Sequence, residues 1–572
     1  MERSEARSKI RDRLEIAWKD VEEATKTANS PSISVGIIHG LENIPIFRKS
    51  YGLRNCEAEL TADEDTSYVI GSCSKMITCT AIGILVGDNR LAWSDPIRNH
   101  LPTFDSLGDP IIGEKATIID LCRHCTGLGD ASTIIAGPGG MILNKAEDHI
   151  SLVNALPTAN DSGQRFQKDW WYSNVAFGLL AQIIEKVSGM PFSEFLQKRI
   201  FQPLRMSHTN VMESVLEANA NIAFPYVRLS DGRWSKVATN MAAQAHGPVL
   251  ASIAMRSSVN DMLAFMAAVM NQYDEERGLD TLQPLVNSRS TNPLQQIGPM
   301  WNYWWTRPVD DGFENNSAYT LGWYRTTMPT AALGICSYNR SGDLQRTYLH
   351  ASNILGKDST KHTLYGHNGN SNGFVATAYV FPDDRTAIVA LSNAASAGDA
   401  AETASRIMLQ ALFNLKPRVS SLQPLRDSRD RCLRSHASMI GDWGRGRDTS
   451  RFTGALKDFK GTYVGLNTVR ISILATQSND SSNEPAQLAV QFGDNPASQC
   501  ALEPYNADMF SFLPLDLETL LSRGMLAWHH YKMGILEFIR DEDKGTVAGF
   551  GWKWDSYEQP SLWVRDQAGM GP

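Results

Sequence analysis

Residues 71–91 read GSCSKMITCTAIGILVGDNRL and place a serine and a lysine three positions apart, at the start of a predicted helix. The residues from Met76 to Gly87 carry no charge and are mostly small or apolar, a composition that predicts a helix buried on most sides. Positions i and i+3 share a helix face, so the Lys75 amine can lie beside the Ser72 hydroxyl. A serine hydroxyl is a weak nucleophile that needs an adjacent base, and a lysine serves only when burial or a neighbouring cation lowers its pKa. The spacing alone is weak evidence, because two common residue types also occur three apart by chance.

A second candidate segment is WWYSNVAF at residues 170–177, where Tyr172 and Asn174 stand just before a predicted helix. A phenol beside an ammonium can give up its proton and act as a general base. An amide can hold both a lysine and a substrate carbonyl. Taken alone, Tyr172 is more simply a core aromatic and Asn174 a helix N-cap.

A third candidate segment is LYGHNGNSNGF at residues 364–374, which carries His367, Asn368 and Gly369 just before a predicted strand. Glycine at such a place lets another backbone or a ligand approach closely. The alternative interpretation of this segment is a polar turn.

These three segments, in this order, resemble the active-site motifs of the serine β-lactamase and penicillin-binding-protein superfamily. That superfamily includes class C β-lactamases, D,D-carboxypeptidases, D-aminopeptidases, family VIII esterases and fungal transesterases. Its class A members carry Ser-x-x-Lys, Ser-Asp-Asn and Lys-Thr-Gly, where this chain has Tyr-Ser-Asn and His-Asn-Gly in second and third place. Flanking text is similar as well, namely LCRHCTGL at 121–128, IIEKVSGMPFSEFLQKRIFQPLRM at 183–206 and YTLGW at 319–323. The resemblance extends from Ser32 to Phe413.

The resemblance implies an α/β domain and an α-helical domain with the active site between them. Ser72 would be the nucleophile that forms an acyl-enzyme, and Lys75 and Tyr172 would share the role of base. The backbone N–H groups of Ser72 and Asn370 would form the oxyanion hole, and no metal or cofactor would be needed. The predicted catalytic residues are Ser72, Lys75, Tyr172, Asn174, His367 and Gly369.

His367 departs from the pattern of β-lactamases and D,D-peptidases, which usually carry lysine at this place. The change removes a permanent cation suited to a substrate carboxylate. Esterases and aminopeptidases of the superfamily tolerate histidine there. We therefore expect the substrate to be an ester, thioester or amide rather than a penicillin.

Five tryptophans lie near these motifs in the sequence, and we expect them, with Asn368, to line a substrate pocket. The alternative for each tryptophan is packing in the core. The predicted pocket residues are Trp170, Trp171, Trp301, Trp304, Trp305 and Asn368.

Two further clusters contain Cys or His residues, which can bind metals or take part in redox chemistry. Cys122-x-x-Cys125 encloses His124 but has no second Cys or His pair at zinc spacing, and packing is the favoured interpretation. The pair His529-His530 has no partner carboxylate evident in the sequence, so we interpret it as a surface pair.

The order of predicted elements defines the fold class as α/β, more narrowly α+β. Strands at 32–39 and 44–52 follow an N-terminal helix, and strands at 376–381 and 386–391 precede another helix at 400–413. Helices and strands at both ends of one region imply a single antiparallel sheet, built from distant segments and covered by helices.

The chain divides into three parts. We assign residues 1–415 to the β-lactamase-like domain, 416–452 to a linker of Arg, Ser, Gly and Asp with weak periodicity, and 453–572 to a small all-β domain. Six short alternating runs separated by turn residues, at 461–465, 469–476, 487–492, 509–514, 535–541 and 546–554, predict that last domain. It resembles the lipocalin-like, barrel-like domain appended to some superfamily members.

Composition excludes several function classes. The chain has 572 residues and a net charge of −8, which argues against an electrostatic nucleic-acid binder. No stretch approaches the roughly 18 apolar residues that cross a bilayer, so we expect no membrane partner. Eight cysteines are too few for a disulfide scaffold, and the N-terminal sequence lacks an apolar signal region, so we expect a cytoplasmic location.

We conclude from the sequence that the chain is a serine hydrolase of a small-molecule acyl substrate, with a weak indication of secondary metabolism. One alternative is an acyltransferase that moves the acyl group to a small alcohol or amine. The acyl group could also come from a carrier-bound thioester. Further alternatives are a D-aminopeptidase, a β-lactamase or a non-catalytic binding protein on the same fold, since fold does not fix function.

Overall fold

The computed structural model describes residues 2–566 except 136, 141–142, 144, 161, 212–219, 239–247, 280–291, 303–304, 307–316, 335–352, 372, 395–397, 477–486, 495, 526–527, 529 and 556–558. Within these ranges a helix-covered sheet is followed by a closed barrel.

Fourteen α-helices are found in the described ranges. They are α1 (Glu2–Thr27), α2 (Ser74–Gly87), α3 (Ile97–His100), α4 (Pro110–Lys115), α5 (Ile118–Cys122), α6 (Ser132–Ile135), α7 (His149–Asn154), α8 (Asn174–Ser188), α9 (Phe192–Leu196), α10 (Val259–Glu276), α11 (Ile297–Asn302), α12 (Ala400–Phe413), α13 (Leu422–Gly446) and α14 (Leu517–Ser522). None of them, taken singly, has the length and apolar composition to cross a membrane; only the pair Asn174–Ser188 and Phe192–Phe201 passes that test together, with a bend of 74° between them.

The strands of the described ranges form one large sheet, one barrel and three short ribbons. They are β1 (Ser32–His39), β2 (Pro45–Asn55), β3 (Leu60–Thr61), β4 (Tyr68–Val69), β5 (Ala159–Asn160), β6 (Gly163–Gln164), β7 (Tyr226–Arg228), β8 (Trp234–Lys236), β9 (Arg256–Ser257), β10 (Trp305–Thr306), β11 (Ala318–Tyr319), β12 (Tyr324–Met328), β13 (His362–Ser371), β14 (Phe374–Phe381), β15 (Thr386–Ser392), β16 (Gly461–Gly465), β17 (Val469–Thr476), β18 (Gln487–Phe492), β19 (Cys500–Asn506), β20 (Met509–Ser511), β21 (Ile535–Arg540), β22 (Val547–Trp552) and β23 (Ser561–Arg565).

The large sheet confirms the fold class predicted from the sequence. Its strand order is β10-β11-β12-β13-β14-β15-β1-β2-β3, so the N-terminal strand β1 lies between β2 and the late strand β15. All its pairs are antiparallel, and Val35 of β1 stands opposite Ala390 of β15. The sheet therefore joins segments from both ends of residues 1–415, as expected.

Two helices cover one face of this sheet. Leu14, Trp18 and Val21 of α1 are buried in a cluster with Ile407 and Met408 of α12 and with one face of the strands. Their three- and four-residue spacing is what makes α1 amphipathic, and burial of such a face is the main source of its stability. The other face packs on α10 and on the helical part of the chain that contains α2 and α8.

The sequence predicts a linker with weak periodicity over residues 416–452. In the structure, residues 422–446 of this linker form the helix α13. Leu425, Ser428 and Met439 are buried, and they lie on one narrow side of this helix. Arginine and aspartate fill its wide exposed side, which is why the composition suggested a loop. The helix leads from the large sheet to the barrel.

The C-terminal part is a closed barrel of eight strands, β16 to β23, which confirms the predicted all-β domain. The sequence analysis predicted six of these strands and missed β19 and β23. Aromatic rings occupy the interior, where Tyr463 contacts Phe538 and Phe550, and Phe550 stacks on Trp563 with 5.9 Å between ring centroids. The barrel is thus a packed core, as expected for eight strands with interior side chains.

The barrel contacts two separate parts of the first domain. The Gly139 N–H donates to the Arg523 carbonyl at 2.9 Å, and the Ala238 N–H donates to the Ser522 carbonyl at 2.6 Å. The Asn467 amide donates to the Ser151 carbonyl at 3.1 Å. The barrel therefore bridges the helical part and the ribbon β7–β8.

A close approach of two backbones brings β13 to the turn Gly71–Cys73 that precedes α2. β12 pairs with β13 only as far as Gly366, so the second half of β13 lies beyond the end of β12. A Cβ built on Gly369 would lie 2.0 Å from the Ile70 carbonyl oxygen, and one on Gly71 would lie 2.7 Å from the Asn370 nitrogen. Gly71 also has φ of +53°, which favours glycine. Only glycine at both positions allows this contact.

We predict that Gly369→Ala lowers the free energy of unfolding by about 1–3 kcal/mol, because the new methyl group must push the turn away from the strand. It should also abolish labelling of Ser72 by a fluorophosphonate probe, because the turn carries Ser72. Thermal unfolding and intact-mass spectrometry measure the two effects.

The matched control is Gly444→Ala in the helix α13, where an added Cβ meets no atom within 4 Å. It should leave labelling unchanged and keep or raise stability by up to about 1 kcal/mol. Full labelling of Gly369→Ala would contradict the argument from close approach.

Candidate active site

Ser72 lies in the turn Gly71–Cys73, two residues before the helix α2 begins at Ser74. Its oxygen accepts a hydrogen bond from the Tyr172 hydroxyl at 2.7 Å and another from the Lys75 ammonium at 3.1 Å. Ser72 is 5% exposed and Lys75 is fully buried. The structure therefore brings together three residues that the sequence separates by up to 100 positions.

The Lys75 ammonium is held by three acceptors from three parts of the chain. Besides Ser72, it donates to the Asn174 side-chain oxygen at 2.6 Å and to the Ser252 carbonyl at 3.1 Å. It also lies 4.6 Å from the centre of the Tyr172 ring and 5.2 Å from that of Phe177, within the range of a cation–π contact. A buried ammonium is tolerated only with such partners.

Asn174 is fixed by a carboxylate that the sequence analysis missed. The Asn174 backbone N–H donates to Asp130 at 3.0 Å, and its side-chain NH₂ donates to the Ser132 hydroxyl at 2.9 Å. Ser132 in turn donates to Asp130 at 2.5 Å. These bonds leave the amide oxygen of Asn174 facing Lys75. The N-cap of α8 is Ser173, so Asn174 is not the cap that its position had suggested as an alternative.

The ionisation of Asp130 reflects opposing influences. Burial is the largest and raises the pKa of this carboxyl, while the bonds from Ser132 and Asn174 and the charge of Lys75 act in the opposite direction. No local signal in the sequence identified Asp130, which simply follows the LCRHCTGL segment.

His367 is buried and both of its ring nitrogens have partners. Nδ1 lies 2.6 Å from the Asn368 carbonyl, which can only accept, so Nδ1 carries the hydrogen. Nε2 therefore accepts from the Tyr319 hydroxyl at 3.0 Å. Burial, with the charge of Lys75 as a smaller cause, lowers the pKa of His367 to about 3. The imidazole is neutral at physiological pH.

Tyr319 belongs to the YTLGW segment, which the sequence analysis noted without assigning it a site role. Its ring lies 5.5 Å from that of Trp170 and 6.4 Å from that of Tyr172. Trp170 lies 5.9 Å from Tyr172. These three aromatic rings form one cluster beside the Ser72 oxygen.

The predicted pocket tryptophans divide into several groups. Trp170 joins the cluster just described, and Trp171 lies next to it with the Arg165 guanidinium 4.4 Å from its ring centre. Trp305 lies in β10 opposite Tyr319, with Arg123 5.7 Å from its ring centre. Trp304 lies outside the described residues.

Trp301 and Asn368 do not lie in the substrate pocket that was predicted beside Ser72. Trp301 is buried in the core, stacked on Tyr365 at 4.1 Å, because its helix α11 turns that face inward. Asn368 is buried with its side-chain oxygen next to Gly334 and Tyr379, and Tyr379 packs in the cluster formed with α1 and α12. Successive side chains of a strand point to opposite faces, so His367 and Asn368 cannot face one site.

The predicted oxyanion hole depends on Ser72 and Asn370. The close approach at Gly369 sets the β13 backbone against the Ser72 turn, since a Cβ on Gly369 would lie 2.9 Å from the Ser72 nitrogen. The Cys73 thiol donates to the His367 carbonyl at 3.2 Å and joins the same two segments. The oxyanion hole itself stays a prediction.

The other clusters show no metal-binding geometry in the part of the chain described. Cys122 and Cys125 are buried free thiols, and burial raises the pKa of Cys125 to about 12. No group of three or more His, Cys, Asp or Glu side chains in the described ranges could hold a metal ion. His530 is exposed and accepts from the Lys532 N–H at 3.1 Å, while His529 falls outside those ranges.

Comparison with known proteins agrees with this geometry. A putative D-alanyl-D-alanine carboxypeptidase of Escherichia coli K12 is 26% identical over 269 residues, which are 42% of this chain and 60% of the relative. A similar match to a protein of the same description from Salmonella typhi is 24% identical over 271 residues. The chain thus matches about three fifths of the length of these curated relatives.

Solved structures share the fold. The octameric penicillin-binding protein homologue from Pyrococcus abyssi has 19% identity and a TM-score of 0.54, and the alignment covers 96% of this chain and 99% of that one. The Beta-lactamase family model matches residues 18–412, which is more than half of the chain and contains all three motifs. The chain therefore belongs to the Beta-lactamase family of serine hydrolases.

Proposed function

We propose that this protein hydrolyses an ester, thioester or amide of a small molecule through an acyl-enzyme on Ser72. The observation that carries the proposal is the Ser72 oxygen, which has the Tyr172 oxygen at 2.7 Å and the Lys75 nitrogen at 3.1 Å. A nucleophile and its base must lie within about 2.6–3.2 Å of each other for proton transfer, and both contacts meet that requirement.

The proposed reaction has two balanced halves. In the reactive state Tyr172 has released its phenol proton to solvent beside the Lys75 ammonium. The Ser72 oxygen attacks the substrate carbonyl carbon, its proton passes to the Tyr172 phenolate, and the carbonyl oxygen becomes an oxyanion. That oxyanion is stabilised by the backbone N–H groups of Ser72 and Asn370, and each such donor is typically worth about 3 kcal/mol. The bond to the leaving group then breaks, and the leaving group takes up the proton. Water repeats the sequence on the acyl-enzyme and releases the acid.

The neutral state of His367 supports uncharged acyl substrates. Its pKa of about 3 means that it supplies no cation where related enzymes carry lysine. Its Nε2 already accepts from Tyr319. The neutral His367 ring offers no N–H to a substrate, because its ring hydrogen, on Nδ1, donates to the Asn368 carbonyl. The nearby aromatic rings of Trp170 and Tyr319 favour an apolar acyl group.

Acyl transfer shares the same acyl-enzyme and differs only in the group that attacks it. A small alcohol or amine in place of water would give an ester or amide as product. Adding such acceptors to the assay and analysing the products by mass spectrometry separates transfer from hydrolysis.

We predict that Ser72→Ala abolishes turnover and acyl-enzyme formation while the protein stays folded, because the change removes only the attacking oxygen. Intact-mass spectrometry after incubation with p-nitrophenyl esters detects the acyl adduct in the wild type. Ser50→Ala is the control, since Ser50 lies in β2 and its side chain makes a single hydrogen bond among the described residues, to Glu64 at 3.3 Å. An adduct that persists in Ser72→Ala would identify another nucleophile.

Loss of either partner of Ser72 should slow acylation by about 100-fold or more, the usual contribution of a general base. The variants are Lys75→Ala and Tyr172→Phe. Combining either variant with Ser72→Ala should lower the acylation rate no further than Ser72→Ala alone, because the three groups act as a unit. A Tyr172→Phe enzyme with wild-type acylation rates would remove Tyr172 from the mechanism.

The wild-type enzyme should cleave p-nitrophenyl esters or acyl thioesters with a much higher kcat/KM than nitrocefin or penicillin. His367→Lys should narrow this gap, because lysine supplies the cation that a substrate carboxylate requires. His367→Gln, which stays neutral, should not narrow it. Thermal unfolding checks the fold of both variants, since a second ammonium near Lys75 costs stability. A wild type that prefers nitrocefin to every ester offered would refute the proposed substrate class.

A further inference from the structure

The three-residue segment Trp171–Ser173, which carries Tyr172, is held on both sides by one residue, His124. The Trp171 N–H donates to the His124 carbonyl at 2.9 Å. The Ser173 N–H donates to Nδ1 of the His124 imidazole at 3.1 Å. The His124 ring also lies 4.3 Å from the Tyr172 ring, with an angle of 35° between the planes. Backbone and ring of the tyrosine are thus in contact with the same residue.

An unusual backbone conformation makes this double contact possible. His124 has φ of +62°, in the left-handed region that non-glycine residues adopt rarely. In this conformation both its carbonyl and its side chain reach the Trp171–Ser173 segment. Strain of this kind persists only where surrounding contacts hold it.

The imidazole acts as an acceptor, and its surroundings keep it in that state. Because Nδ1 accepts from Ser173, the hydrogen of the neutral ring is on Nε2. Burial, followed by the charge of Lys75, holds the pKa of His124 well below its usual range. Protonation would consume the lone pair that Ser173 uses, so a neutral ring preserves the contact.

A histidine at position 124 lowers the stability of the fold. His124 is fully buried, and its Nε2 has no hydrogen-bond partner among the described residues. A buried donor without a partner destabilises a fold. A purely apolar ring would avoid that cost but would leave the Ser173 N–H without this acceptor at the N-terminus of α8. The Ser173 side chain makes no capping bond there.

We propose that His124 is a positioning residue for Tyr172, which it holds at hydrogen-bond distance from the Ser72 oxygen. It acts through the backbone on both sides of the tyrosine and does not itself take up a proton. This inference rests on the proposed function, in which Tyr172 exchanges a proton with Ser72. Misplacement of such a group by about 1 Å can cost about 100-fold in rate.

The test compares His124→Leu with His124→Asn. The Asn side-chain oxygen occupies the place of Nδ1 and can accept from Ser173, and asparagine tolerates a positive φ. Leucine has the same branch point but no acceptor. Cys125→Ala is the control for a packing loss in the same loop, because Cys125 is buried there and contributes no bond to the Trp171–Ser173 segment through its side chain.

Two readouts are measured on the full chain. The first is kcat and KM for a p-nitrophenyl ester, together with the rate of Ser72 labelling by a fluorophosphonate. The second is hydrogen exchange at the Ser173 amide, which reports the contact itself and needs no activity. For His124→Leu we expect kcat to fall at least 50-fold with KM within threefold, and exchange at Ser173 to rise at least tenfold. His124→Asn should return both values to within about fivefold of the wild type, and Cys125→Ala should keep them.

Equal losses of kcat in His124→Leu and His124→Asn, or losses in all three variants that follow their melting temperatures, would show a merely structural role and overturn the inference. Unchanged exchange at Ser173 in His124→Leu would overturn it as well. A wild type that fails to label at Ser72 refutes the proposed function instead, and the exchange readout then still decides whether His124 holds the segment.

Discussion

One buried positive charge, the Lys75 ammonium, sets the geometry on which the rest of the site depends. A charge without partners in the interior is prohibitively unfavourable, so the fold must bring acceptors to it. They come from the turn before α2, from the start of α8 and from the Ser252 carbonyl. These segments lie on different elements, and satisfying one ammonium therefore fixes the start of α8 and the Ser252 segment against the start of α2. The nucleophile gains its position from the same requirement, because Ser72 is one of the three acceptors.

The charge also contributes to the protonation state of its neighbours. His124 and His367 both have a lowered pKa, for which burial is the main cause and Lys75 a further one. Each neutral ring then uses one nitrogen as an acceptor, His124 for Ser173 and His367 for Tyr319. A protonated ring could serve neither purpose. The two histidines are thus fixed contacts of the site, and Lys75 is the cation around which they are arranged.

The sequence predicts those parts of the site that depend on local spacing, and misses those that depend on tertiary contacts. Ser72 and Lys75 share a helix turn, and the resemblance of their motif to a known family led to Tyr172 and Asn174. Ser252 contributes a carbonyl, which every residue has, so no sequence pattern could identify it. Asp130 acts through Asn174, and only the structure shows that contact. The tryptophan Trp301 was assigned to the pocket by proximity in sequence, whereas its helix places it in the core.

The same difference between local sequence patterns and tertiary contacts explains which parts of the fold the sequence predicts. The sequences of β1 and β15 have patterns typical of strands. These strands pair with each other because the helices at both ends of residues 1–415 must cover one sheet. The helix α13 was missed because its buried side is narrow and its exposed side is rich in arginine.

The barrel adds a constraint that no local pattern contains. Its interior is filled by aromatic rings such as Tyr463 and Phe550, so its contribution to the molecule comes from its outer contacts. These contacts join the loop at Gly139 to the ribbon β7–β8, which packs against Gly373 directly after β13. β13 in turn lies against the Ser72 turn, where a methyl group on Gly369 would not fit. A continuous chain of contacts therefore leads from the barrel to the nucleophile, through the segment on Gly373 and the strand on the Ser72 turn.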